Sequence, residues 1–163
     1  MNSIKRLGFI AILLLLFVTC KKNNNNANQG DFFPPVYVDF FVNLSLPTYS
    51  ELQFVNGYVI EPGQGYKGRG IIIYNTGFEG VDKYVAFDRS CPVNVDSSCS
   101  YVSVEKSALF YKCGQFNGAT FNACCGSRFA ANSGVQVEGP AQRGLRKYFV
   151  YDMGNQLHVV AAP

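Results

Sequence analysis

From Asp31 to the C-terminus, no window of a dozen residues keeps an apolar period of 3.6 without meeting a Gly or a Pro. Amphipathic helices therefore have nowhere to form. The stretch offers short apolar or alternating runs between breakers: VYVDFFVNL from Val36, LQFVNGYVI from Leu52, GIIIYN from Gly70, KYVAFD from Lys83, YVSVE from Tyr101, LFYKC from Leu109, LRKYFVYD from Leu145 and QLHVVA from Gln156. Breaker clusters such as EPGQGYKGRG and DMGN separate them. A helical turn is expected only around Pro47 to Leu52. Tyr and Phe make up an aromatic content of 15%, with no Trp, and β-branched residues are frequent, which also favours strands. An all-β domain, sandwich or barrel, follows, and 163 residues suffice for one such domain with a single core.

The N-terminus reads as a targeting segment. Lys5 and Arg6 precede the apolar run LGFIAILLLLFVT, too short to cross a bilayer as a helix, and the run ends at Cys20. This arrangement resembles the lipobox of bacterial lipoproteins, in which the cysteine becomes the acylated first residue of the mature chain. Phe17 stands where that motif usually has Leu, and Thr19 where it has a small residue. The following KKNNNNANQG has nothing to bury and reads as a disordered tether. The expected organisation is a signal peptide over 1–19, a tether over 20–35 and a β domain over 36–163. The resemblance implies a lipid-anchored protein of the cell envelope, most often the outer membrane, with the bilayer itself as one partner. Export also places the remaining cysteines where disulfides persist. The formal charge of +3 falls to about +1 once Lys5 and Arg6 are set aside, so a concentrated basic face for nucleic acid is not expected.

Two cysteine-bearing stretches stand out: FDRSCPVNVDSSC from Phe87 and NACCGSRF from Asn122. They are followed by G-x-x-x-x-GPA over Gly134 to Ala141 and by L-x-x-Y from Leu145 to Tyr148. Their order resembles the Rieske family. The resemblance spans roughly residues 85 to 160. It implies an all-β fold in which a small two-loop subdomain, here about 87–131, sits on a larger base of strands. It is also similar to a group of anchored bacterial proteins in which these motifs recur without metal ligands.

A Rieske 2Fe–2S centre takes two Cys on one iron and two His on the other, as C-x-H and C-x-x-H. Carried across, Cys91 holds the first cysteine position, Val93 the first histidine position, Asn122 the second cysteine position and Cys125 the second histidine position. The set is degenerate. Val93 has no lone pair, Asn122 a poor one, and the chain's one histidine, His158, lies on the last expected strand as a surface or packing residue. No cofactor is therefore expected, with a 2Fe–2S cluster on atypical ligands as the alternative.

In the Rieske family a further cysteine in each loop forms a disulfide, which by resemblance implies Cys99 with Cys124. A second pairing competes. If YVSVE and LFYKC form a hairpin turning near Lys106, Cys99 lies opposite Cys113, leaving Cys91 to reach Cys124 or Cys125. Disulfide candidates are thus Cys91, Cys99, Cys113, Cys124 and Cys125, an odd number that leaves one thiol over. Zinc is disfavoured because adjacent residues such as Cys124 and Cys125 seldom point at one ion. A catalytic thiol lacks both a C-x-x-C and a neighbouring base. Gly126 and Ser127 are expected to turn the chain out of the second loop, and Gly139 to Ala141 to close a small apolar pocket beside Val93. Arg128, Arg143, Arg146 and Lys147 read as a solvated strand face. The expectation for function is a non-catalytic binding or structural module, not an enzyme, with an envelope protein as partner.

Overall fold

Ten strands form among the described residues, 34–161 of this computed structural model. They are β1 (Asp39–Asn43), β2 (Tyr58–Glu61), β3 (Ile71–Asn75), β4 (Tyr84–Asp88), β5 (Val102–Val104), β6 (Phe110–Asn117), β7 (Thr120–Ala130), β8 (Gln136–Glu138), β9 (Lys147–Asp152) and β10 (Gln156–Val160). The expected signal peptide, its Cys20 and the tether as far as residue 33 lie outside the described residues. All pairings are antiparallel. A curled six-stranded sheet runs in the order β1-β10-β9-β4-β3-β2, and a four-stranded sheet in the order β5-β6-β7-β8. The fold is all-β, as the breaker pattern requires.

The central pair explains the two sheets. IIIYN and YVAFD are apolar without alternation, and β3 and β4 are buried at every position. Successive side chains on a strand point to opposite faces, so a strand like this needs cover on both. Ile72, Tyr74, Val85 and Phe87 pack against Val102, Tyr111 and Phe129 of the four-stranded sheet. Ile71, Ile73, Tyr84 and Ala86 face the inside of the curl, against Val42, Tyr148, Leu157 and Val159. The single core expected from length is therefore divided: two large clusters lie on opposite faces of β3 and β4, and Tyr66 and Val95 form a small third one. Each large side chain so covered contributes about 1.5–3 kcal/mol relative to exposure.

The strands towards the β1 end of this sheet alternate instead. In β10 only Leu157 and Val159 are buried, while His158 points the other way. Phe41, His158 and Tyr151 stand in register across β1, β10 and β9, and the Phe41 ring stacks on His158 at 4.2 Å.

Two 3₁₀ turns, Tyr66–Gly68 and Gly80–Asp82, form besides the expected one, and three segments depart from their expected strand or loop character. LQFVNGYVI does not run as one strand: Leu52 closes a 3₁₀ turn over Pro47–Gln53, and extended structure begins only at Tyr58. Asn56 at φ 65° reverses the chain, and a Cβ on Gly57 would sit 1.7 Å from the Glu51 carbonyl oxygen. The second cysteine stretch is not a loop but the middle of β7, the longest strand described. Its Cys, Gly and Ser residues carry no strand signal; the residues on either side of them, 120–123 and 128–130, pair with β6 and carry the strand across. β8, pairing with β7, has no counterpart in the expected set.

Candidate functional site

The first cysteine stretch leaves β4 and returns at β5 without forming a strand, joined at its neck by a single bridge between Ser90 and Tyr101. Such a loop needs its backbone polar groups satisfied from elsewhere. Arg69 does this from the segment before β3. Its buried guanidinium donates to the carbonyls of Val95 at 2.7 Å, Ser97 at 2.7 Å and Ser100 at 2.8 Å, and lies over the Tyr101 ring. The Ser100 hydroxyl donates in turn to the carbonyls of Cys91 at 3.0 Å and Val93 at 2.9 Å.

Below the loop, Asp88 ends the apolar run of β4 as a fully buried carboxylate. It accepts from the Tyr66 amide at 2.6 Å, the Ser90 amide at 2.8 Å and the Tyr148 hydroxyl at 2.6 Å. Burial, and then the carboxylate beside it, push the Tyr148 hydroxyl far above the ordinary phenol range, so it stays a donor. The L-x-x-Y element is thus tied to the base of the first loop. A carboxylate closing an otherwise apolar strand was the readable sign of this bond. Arg69, set between two glycines, gave no comparable sign.

The second stretch is a bulge in β7. Lys112 pairs with Arg128 and Gly114 with Ala123, so Cys113 alone faces residues 124–127. An ordinary bulge inserts one residue; this wider one projects the cysteines towards the first loop. Gly126 lies within it at φ +73°, and Ser127 is buried, accepting from the Ala141 amide at 3.0 Å and from the Cys125 thiol at 3.2 Å. Gly126 and Ser127 are therefore strand-bulge residues rather than an exit turn. The Gly139–Ala141 loop packs on this bulge, and a cavity of about 300 Å³ separates Pro140 from Pro92, Val93 and Asn94. Gln142 and Arg143 also line it, so the space beside Val93 is not purely apolar.

Two disulfides join the stretches. Cys99 bonds Cys124, the pair implied by the resemblance, with Cα atoms 5.4 Å apart. Cys91 bonds Cys113, with Cα atoms 5.8 Å apart, a pairing that the sequence reading did not weigh. The expected hairpin does form, but its register sets Cys113 opposite Val102 and not Cys99, so the competing Cys99–Cys113 bond is not made. Cys125 keeps a free, half-buried thiol.

The positions assigned by resemblance to an iron–sulfur cluster do not suit one. The Cys91 sulfur is bonded to Cys113, Val93 offers no donor, and Asn122 is an exposed ladder residue opposite Gln115. Only Cys125 brings a thiol. His158 bonds the Asp39 carboxylate at 2.7 Å on β10, within the six-stranded sheet. That bond holds the Asp39 carboxyl below its usual range. Of the basic residues, Arg128 makes a two-point contact with Glu105 at 2.8 Å for each bond, and Arg146 donates to the Pro34 carbonyl at 3.0 Å. No protein-family model matches the chain, and neither does any curated protein.

Proposed function

We propose that this chain is a lipid-anchored envelope protein with a Rieske-like fold whose cluster site has become a disulfide-stapled structural tip, serving a non-catalytic binding or structural role. One observation carries the reading: the sulfur at the first ligand position is bonded to Cys113, a residue of β6 outside both cysteine stretches. Two of the other three positions, Val93 and Asn122, bring no adequate ligand for iron. Arg69 and the two disulfides give the tip an organisation that needs no metal. A fold does not carry function once the site is replaced.

The anchor rests on Cys20 after its apolar run, and the partner is a protein of the same envelope. An aromatic row of Phe41, His158 and Tyr151 on the six-stranded sheet is in keeping with a binding role. The test uses the full chain purified from membranes, analysed for iron, for visible absorption and for disulfide-linked peptides. Colourless, iron-free protein with Cys91–Cys113 and Cys99–Cys124 peptides is expected, along with release from the membrane fraction on Cys20→Ser. Stoichiometric iron with the paired visible bands of a 2Fe–2S cluster would overturn the reading.

A further inference from the structure

Three sulfurs converge where the first loop meets the β7 bulge. The Sγ atoms of Cys91, Cys113 and Cys125 all lie within 4.8 Å of one another, and Cys125 Sγ is 3.5 Å from Cys91 Sγ. Cys91 and Cys113 are fully buried and Cys125 half-buried. They come from the first loop, from β6 and from β7, so their meeting is a product of the fold. The neighbour that made a shared ion unattractive in the sequence, Cys124, points elsewhere and is bonded to Cys99.

A thiol beside a disulfide suggests exchange, in which Cys125 would attack Cys91 and release Cys113. That displacement wants the three sulfurs close to a line. A line would set the outer two roughly 5.5 Å apart, an ordinary S–S bond added to the observed gap. The sulfurs are closer than that, so they occupy the corners of a triangle. A triangle of thiolates surrounds a point, and a three-coordinate ion is what occupies such a point.

We propose that, once Cys91–Cys113 is reduced, Cys91, Cys113 and Cys125 form a three-thiolate site for a soft, thiophilic cation of the Cu(I) class. Two molecules of a thiol reductant supply two electrons and two protons, opening the bond to two cysteine thiols and leaving as their own disulfide. The ion then displaces the three thiol protons to solvent without changing its oxidation state. Thiolate ligands select Cu(I), zinc and iron–sulfur clusters. Structural zinc is four-coordinate, and among the described residues no His, Asp or Glu joins this group. The Ser127 hydroxyl beside Cys125 also accepts from the Ala141 amide. Tyr111, Phe129 and Val93 pack in the same cluster and keep the surroundings apolar. The site differs from the iron positions by using Cys113 and neither Val93 nor Asn122. It goes beyond the disulfide-stapled reading by giving the reduced tip a ligand.

The experiment titrates Cu(I), supplied as a weak chelate under anaerobic conditions, into the reduced and desalted full chain. Copper content and sulfur-to-copper charge-transfer absorption in the ultraviolet are the readouts. A single equivalent is expected in the reduced protein, lost in Cys125→Ser and absent from the oxidised protein. Cys125→Ser retains both disulfides, so its fold before reduction can be checked against the parent by circular dichroism. Zn²⁺ titrated in parallel is expected to bind more weakly. Undiminished copper binding by Cys125→Ser would show that the ion does not use the third thiolate and overturn the site; tight Zn²⁺ with weak Cu(I) would overturn the ion class. Neither result bears on the iron analysis above, which is made on protein as isolated.

Discussion

Arg69 holds three carbonyls of a loop that lies 26 to 31 residues further along the chain. A buried hydrogen bond to a charged group is worth about 1.5–3 kcal/mol, and a carbonyl left unpaired costs a similar amount. Arg69→Met keeps most of the stem's packing and removes every donor. It is expected to lower unfolding stability by on the order of 3 kcal/mol, allowing for water reaching the partly exposed Ser97 carbonyl. Urea denaturation of the oxidised protein measures this. A loss within experimental error would mean that the disulfides alone organise the first loop. Asp88 was partly legible as a carboxylate ending an apolar strand. Arg69 was not, because a guanidinium between glycines looks the same in sequence whether it faces solvent or a loop from elsewhere in the chain.

In the β7 bulge and in the loop that covers it, two glycines share a positive φ but differ in the space around them. Gly126 has φ +73° but open space around a would-be Cβ, whereas a Cβ on Gly139 would lie 2.6 Å from Ser127 Cα. Gly126→Ala therefore meets only the left-handed backbone penalty, about 1–2 kcal/mol. Gly139→Ala adds a backbone clash that must move the covering loop off the bulge, and about 3 kcal/mol or more is expected. Thermal melts of the two variants give the order, and an equal loss would contradict the close approach. The runs that became β3, β4, β9 and β10 were readable because they are short, apolar or alternating, and bounded by turn residues, which leaves no length for a helix. β7 was not readable: its strand character comes from β6, and its cysteines, glycine and serine carry the signature of a loop.

At the scale of the whole molecule, both disulfides cross from the first loop to the β6–β7 hairpin, closing separations of 22 and 25 residues. Each such closure constrains the unfolded chain by about 3 kcal/mol. Their exposure differs. Cys99 is at the surface, while Cys91 and Cys113 are fully buried. Limiting reductant is expected to open Cys99–Cys124 first and lower the melting temperature by several degrees, with the buried Cys91–Cys113 opening only at higher reductant. Alkylation followed by peptide mapping reports the order. Simultaneous opening, or an unchanged melting curve, would show that the bridges do not hold the tip as described.

Composition and breaker spacing were enough to establish an all-β chain, because no long window keeps a helical apolar period free of Gly and Pro and the short runs suit extended backbone. The identity of Val93 and Asn122 was likewise enough to show that neither side chain is an adequate ligand for iron, since donor chemistry belongs to the side chain itself. Which sulfur meets which was decided only in three dimensions. The register of β5 on β6 and the width of the bulge in β7 put Cys113 beside Cys91 and Cys125, and both depend on pairings between strands that no local run encodes.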